Sequence, residues 1–426
     1  MRRSIGTTAV LAALAVAATA CGGDDGGDGG GNGGNGGSSS EGSGELSGTV
    51  TYWDTSNETE AAVFQAIAEE FTDEHPGVTV DYVNVGFDDA QNRFKNAAGA
   101  NEAPDVMRTE VAWVADFASL GYLYPLDDTA ALDNQDDFLA EPWASTQYDG
   151  QTWAVPQVTD TLALFYNKEL LAEAGVEVPE SLEQIQQDAA AYEAVGTVPL
   201  YARGDDPYWF FPFLYGEGGD LLNAEEERVT IDDDAGIAAF EAMNELIESG
   251  AAITDTSDGW ENMMSGFADG DVAMMINGPW AIADATAALG DNLGVAPVPA
   301  GGQAQGSPLG GWNYGIYAGT PDAEASMEFV KYMSSAEVQT RITEELSLLP
   351  TRESVYAEPA VEANEMVQFF KPAVDVAHER PWIPQAQSLF EPLRISIESM
   401  LTGSSSPEEA ARQTGDTYRD LLEDWS

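Results

Sequence analysis

From residue 48 onward the apolar positions switch between two periods. Gly48-Thr-Val-Thr-Tyr-Trp53 is β-branched and aromatic and predicts a strand. Ala61, Phe64, Ile67, Ala68 and Phe71 then recur at helical spacing across residues 60–74, until His75, Pro76 and Gly77 stop the helix. Residues 78–83 predict a second strand, 87–100 a helix, and 104–107 a short buried strand running into a loop. Strands and helices alternating at this spacing predict a parallel sheet with crossover helices.

The pattern restarts at Thr161. Residues 161–166 predict a strand, 168–174 and 181–194 helices, and 198–202 another strand. A long amphipathic helix over 235–249 ends at Gly250, and a short helix over 262–269 precedes a strand over 272–276 that leads into Asn277-Gly-Pro-Trp280. Residues 294–298 and 314–318 predict further strands, and the remainder is mostly helical. Two α/β units and a helical tail predict an α/β protein of two doubly wound lobes. Ligands of such sheets bind beyond the carboxyl ends of the strands.

The first 47 residues differ in character. Arg2 and Arg3 precede an apolar run over 9–18, Thr19 and Ala20 are small, and Cys21 is the only cysteine. This layout predicts a signal peptide over residues 1–20, whose apolar run is too short to span a bilayer. Cleavage before Cys21 frees an amine and a thiol for acylation, which makes Cys21 the expected lipid-attachment site. The alternative is an ordinary secretory signal cut near Ala20, with Cys21 incidental. Residues 21–47 are almost entirely Gly, Ser, Asn, Asp and Glu and predict a flexible tether.

Charge excludes some partners. Asp and Glu total 74 against 16 Lys and Arg, a net −58 that repels nucleic acid and anionic lipid surfaces. The acids are dispersed along the chain, as suits a salty habitat where screening removes their self-repulsion.

Several segments flanking strands pair an aromatic ring with a hydrogen-bonding side chain. These are Trp53 to Glu58, Arg108 to Trp113, Gln157 to Asp160, Asp206 to Phe210, Asn277 to Trp280, Gly310 to Asn313, and Arg380 to Trp382. The mixture suits a carbohydrate: flat rings cover the apolar faces of a pyranose, and carboxylates, amides and Arg take its hydroxyls. Glu110 and Asp160 stand out because apolar sequence flanks them. Arg93, on a helix beside Phe94, reads equally as a ligand group or a surface ion-pair member. Arg380, between His378 and Trp382, suits a guanidinium stacked near a ligand. His75 and His378 are the only histidines, so no Ser-His-Asp triad or His/Cys metal spacing can be assembled, and no glycine-rich phosphate loop is present. No cofactor or metal is expected. A carboxylate pair for glycoside hydrolysis stays open among so many acids.

The most specific segments are Thr51 to Asn57, Ala103 to Arg108, Val155 to Lys168, Gly270 to Trp280, Leu348 to Arg352 and Arg380 to Pro384. On these the chain resembles the extracellular solute-binding proteins of ABC sugar importers, of the maltose/maltodextrin type. The resemblance runs from about residue 48 to the C-terminus. It implies a type II periplasmic-binding-protein-like fold with hinge strands, residues 48–158 and 313–347 forming one lobe and 159–312 and 348–426 the other.

Carried over position by position, Asn57 and Glu58 meet sugar hydroxyls, and Glu110 and Asp160 accept from them. Tyr208, with Trp209 beside it, and Trp280 match stacking aromatics, while Arg380 matches a guanidinium ligand. Gly311 and Trp312 fall on a ligand-contacting loop, where Trp312 replaces a polar residue. Phe390 and Glu391 stand where some maltodextrin receptors carry two aromatics, so the far end of a long oligosaccharide is held less firmly.

The resulting expectation is a non-enzymatic, monomeric receptor for a neutral oligosaccharide of the maltose/maltodextrin class. It would be anchored through Cys21 at the extracellular face of the cytoplasmic membrane and would deliver sugar to permease subunits, with no nucleic-acid partner. The alternatives are a cell-surface glycoside hydrolase, or a receptor for another oligosaccharide, a polyol or a peptide.

Overall fold

The computed structural model describes residues 46–425, apart from 375 and 424. The expected signal peptide, Cys21 and the tether through residue 45 lie outside the described residues. The tether was expected to extend to residue 47, but Leu46 already packs against a hydrophobic core.

Eleven strands build two main sheets. They are β1 (Gly48–Asp54), β2 (Val78–Asn84), β3 (Val106–Glu110), β4 (Ala154–Asp160), β5 (Ala163–Asn167), β6 (Val198–Tyr201), β7 (Ala252–Ile253), β8 (Val272–Asn277), β9 (Leu293–Pro297), β10 (Gly310–Ile316) and β11 (Leu349–Pro350). The six-stranded sheet has the order β11-β4-β10-β3-β1-β2, and the five-stranded sheet β7-β6-β8-β5-β9. Helices α1 (Glu58–Glu74) and α2 (Phe87–Ala100) make the first two crossovers. At the start of α1 the Glu60 N–H donates to Asn57 Oδ1 at 2.9 Å, which satisfies one of the donors a helix leaves free at its N-terminus.

The sheets are mixed, not purely parallel as the crossover pattern predicts. β10 runs antiparallel to both β3 and β4, and β5 antiparallel to both β8 and β9. β11 is likewise antiparallel to β4, while β5 and β10 are the strands that receive the chain from the other sheet. They start at the edge where the strands beside them end, so their direction is reversed.

Two stretches expected as loops are strands. Residues 157–160 belong to β4, all seven of whose residues are buried, and 310–313 open β10. Trp312 pairs with Val158 and Asn313 with Pro156, which leaves Gln157 without an opposite number. An irregularity beside a proline is expected, because Pro156 brings no N–H to the ladder.

The six-stranded sheet is buried on both faces. Val106 and Val155 join one core cluster, and their neighbours Met107 and Ala154 join another, as alternation along a strand requires. A third cluster packs around the five-stranded sheet and the C-terminal helices.

The chain passes between the sheets at three places. Thr161 and Leu162 link β4 to β5, residues 298–309 link β9 to β10, and Leu348 packs in one core while its neighbour Leu349 packs in the other. The Ser307 hydroxyl accepts from the Leu162 N–H and donates to the Leu162 carbonyl, both at 2.9 Å, which ties the first two passages together. Leu349 pairs with Thr159 on β4, which holds the third alongside.

Candidate functional site

The register sets the site. Gly310 lies opposite Asp160 and Trp312 opposite Glu110, so the ends of β3 and β4 and the start of β10 share one edge of the six-stranded sheet. The loop after β1 leads from this edge into α1, carrying Asn57 and Glu58.

Glu110 ends β3, and its Oε2 accepts from the Ala112 N–H at 2.8 Å, fixing the carboxylate. Its other oxygen accepts from Arg380 Nη2. Arg380 is 5 % exposed, and its Nε donates to the Leu309 carbonyl at 2.9 Å. The guanidinium lies 5.3 Å from the Tyr208 ring centroid and 5.6 Å from that of Trp382. Tyr208 sits in a short turn capped by Asp206, whose Oδ1 accepts from the Tyr208 N–H at 3.0 Å. Its hydroxyl is 3.3 Å from both Asp160 Oδ1 and the Pro308 carbonyl and can donate to one at a time.

Asp160 is 8 % exposed, and burial pushes its carboxyl up from 3.8 to about 7. The Arg380 charge opposes that rise and the Glu110 charge adds to it. A buried carboxyl that is half-neutral near pH 7 gains from any ligand hydroxyl that donates to its ionised form.

Trp280 reaches the same region from the five-stranded sheet. Its ring folds back over Gly278, where a Cβ would lie 2.2 Å from the indole, so the segment requires glycine there. The Tyr208 and Trp280 centroids are 6.4 Å apart. Across from Trp280 stand Asn57 and Glu58. Together with Trp260, Asp284, Leu346 and Leu348 they line a cleft of about 230 Å³.

The remaining expected residues lie beside this cluster or, in the case of Arg93, apart from it. Trp312 is half-buried: the Arg108 guanidinium lies 4.1 Å from its ring, and Phe87 and Trp113 meet it edge to face. Gly311 lies against β4 with φ +134°, and a Cβ there would sit 2.4 Å from the Val158 carbonyl oxygen. Trp209 is 6 % exposed; its indole N–H donates to the Ile276 carbonyl at 2.7 Å, and its edge backs Trp280. Arg93 is exposed on α2 over the Trp53 ring, apart from the cluster. Phe390 is half-buried near Arg380, and Glu391 pairs with Arg394.

Sequence reasoning missed a buried polar layer beneath these groups. Arg108 is 1 % exposed, its Nε donates to Gln157 Oε1 at 2.7 Å, and it lies 3.9 Å from Asp54 and 3.5 Å from Glu60. It missed as well that the Trp113 indole N–H donates to Gln387 Oε1 at 3.2 Å, from one sheet's loops to the C-terminal region. Among the described residues no group of His, Cys, Asp and Glu could hold a metal ion, and no helix is long and apolar enough to cross a membrane.

Aromatic faces and fixed carboxylates drawn from two sheets, meeting where three chain passages lie together, define a two-lobed binding protein. Residues 55–340 match the model of the bacterial extracellular solute-binding proteins, and the chain belongs to that family. The fold is that of the type II periplasmic sugar-binding proteins. The GacH receptor of Streptomyces glaucescens GLA.O, solved unliganded and with acarbose and an acarbose homolog, is 61 % identical with a TM-score of 0.87, over 90 % of this chain and 100 % of that one. The maltose-bound MalE3 of T. maritima is 26 % identical with a TM-score of 0.80, over 88 % and 99 %. The maltotriose-binding protein of Pyrococcus abyssi (strain GE5 / Orsay) is 27 % identical over 368 residues, 83 % of this chain and 78 % of that protein. These are binding proteins, which agrees with a receptor and not with the hydrolase alternative.

Proposed function

We propose that this chain is the sugar receptor of an ABC importer, capturing maltose, a maltodextrin or a related α-glucoside and presenting it to the permease. The observation that carries the reading is the 61 % identity to a receptor solved with acarbose. The site chemistry agrees: Tyr208 and Trp280 offer ring faces, while Glu110, Asp160 and Arg380 offer hydroxyl partners in a largely buried setting. Asn57, Glu58, Gly311 and Trp312 complete the contact set in this reading.

The six-stranded sheet and its helices act as one lobe and the five-stranded sheet with the C-terminal helices as the other; the expected boundaries at 158/159 and 312/313 fall inside β4 and β10, so the hinge is placed instead at the passages 161–162, 298–309 and Leu348–Leu349. A sugar touching both lobes favours the closed state by its differential affinity for it, and the closed surface docks on the permease. In the same reading residues 1–20 are removed, Cys21 is acylated, residues 21–45 tether a monomeric body at the outer face of the membrane, and Cys21→Ala releases the protein into the medium.

Calorimetry with maltotriose tests the function. The wild-type protein binds it, and Trp280→Ala weakens binding by about 1–3 kcal/mol through loss of a stacking face. A wild-type protein that binds no α-glucoside would sink the reading.

A further inference from the structure

Phe87 opens α2 directly beyond the end of β2 and is 47 % exposed. It stands at the rim of the core cluster that holds Trp113, with nearly half of its surface open. The ring stacks on Trp113 with centroids 5.4 Å apart and planes 16° from parallel, and it meets Trp312 edge to face at 5.6 Å. Trp113 is 2 % exposed and bonded to Gln387, so the support beneath Phe87 is rigid. An exposed aromatic ring on a fixed aromatic base is a platform for a flat apolar face.

The platform adjoins the site residues. Trp312, which touches it, pairs with Glu110, and Glu110 holds Arg380 against Tyr208. Asp88, the residue after Phe87, lies close enough to the Tyr208 turn that its charge helps raise the Asp206 carboxyl, burial being the main cause. Phe87 meets Trp113 and Trp312, whereas Tyr208 and Trp280 meet each other, so a ring stacked on Phe87 is a further one than the ring that pair covers.

Resting on the α-glucoside reading above, we propose that Phe87, backed by Trp113 and edged by Trp312, is an additional stacking subsite for a ring of a linear α-glucan beyond those held at Tyr208 and Trp280, and so sets a preference for oligosaccharides over maltose. Length selection then resides in the six-stranded lobe.

The experiment is calorimetric titration of wild-type protein, Phe87→Ala and Phe87→Trp with maltose, maltotriose and maltotetraose. Alanine at an exposed position of the first helical turn leaves the fold intact. Phe87→Ala should weaken maltotetraose about five-fold, the scale of one aromatic contact, and leave maltose within about two-fold. Phe87→Trp should retain maltotetraose affinity. Unchanged maltotetraose affinity in Phe87→Ala, or an equal loss for maltose, overturns the subsite while leaving the receptor reading standing. A wild-type protein that binds none of the three sugars overturns both.

Discussion

Asp160→Asn separates the cost of a buried charge from every other feature of the cleft. Asparagine keeps the shape and retains an oxygen able to accept from the Tyr208 hydroxyl, which lies 3.3 Å away. In the wild type, burial raises the carboxyl from 3.8 to about 7. Between those values the folded state holds a proton that the unfolded chain has released, so the contribution of Asp160 to stability falls as pH rises. The decline is about 1.4 kcal/mol per pH unit, which makes about 4 kcal/mol once the pH is well above 7.

Denaturant unfolding of both proteins from pH 4 to pH 8 reads this directly. In about 1 M salt the Debye length is about 3 Å, so long-range repulsion among the acids largely cancels from the comparison. The variant should match the wild type near pH 4 and gain steadily to pH 7. A gap independent of pH would refute the argument. So would a wild type that gains on the variant with rising pH, since Arg380 would then be holding Asp160 ionised throughout.

Three further outcomes follow from the geometry. Glu110→Gln leaves the buried Arg380 guanidinium without its carboxylate and should cost about 3–5 kcal/mol in urea unfolding, with Glu110→Gln/Arg380→Met recovering part of it. Asn57→Ala removes the cap of α1 and should lower stability by about 1 kcal/mol in the same assay. Gly278→Ala places a methyl where the Trp280 ring lies and should displace it, seen as a changed tryptophan emission and a weakened maltotriose titration.

Local signals in the sequence were sufficient wherever an element is bounded by its own caps. The helix Lys168–Ala174 matches its predicted limits, because Asn167 caps one end and Gly175 adopts the left-handed conformation at the other. Phe87–Ala100 does as well, closed by Asn101 at φ 59°. β4 gave no such signal. With both faces buried it has no alternation, and Pro156, Gln157, Thr159 and Asp160 break the apolar run that marks a central strand. Gly310 and Gly311 read as a turn until β4 is known to lie against them.

The site divides the same way. Glu110 and Asp160 were legible as acids set in apolar sequence. That Glu110 would be bound to Arg380, 270 residues away, is a property of the tertiary fold alone. Arg108 and Gln157 were obscured for the opposite reason, since a buried polar pair is written in the same letters as a surface one. Phe87 looked like an ordinary helix start, and only its stacking on Trp113 sets it apart.

The slot that β10 fills has a bearing on how the polypeptide is made. Until residues 310–316 leave the ribosome, β3 and β4 present facing unpaired rims, and no earlier segment completes the sheet. Such a late, sequence-distant closure folds slowly. For a member of an extracellular family that delay has a consequence: the five-stranded sheet can close by residue 297, but the six-stranded one locks only after most of the body has been synthesised.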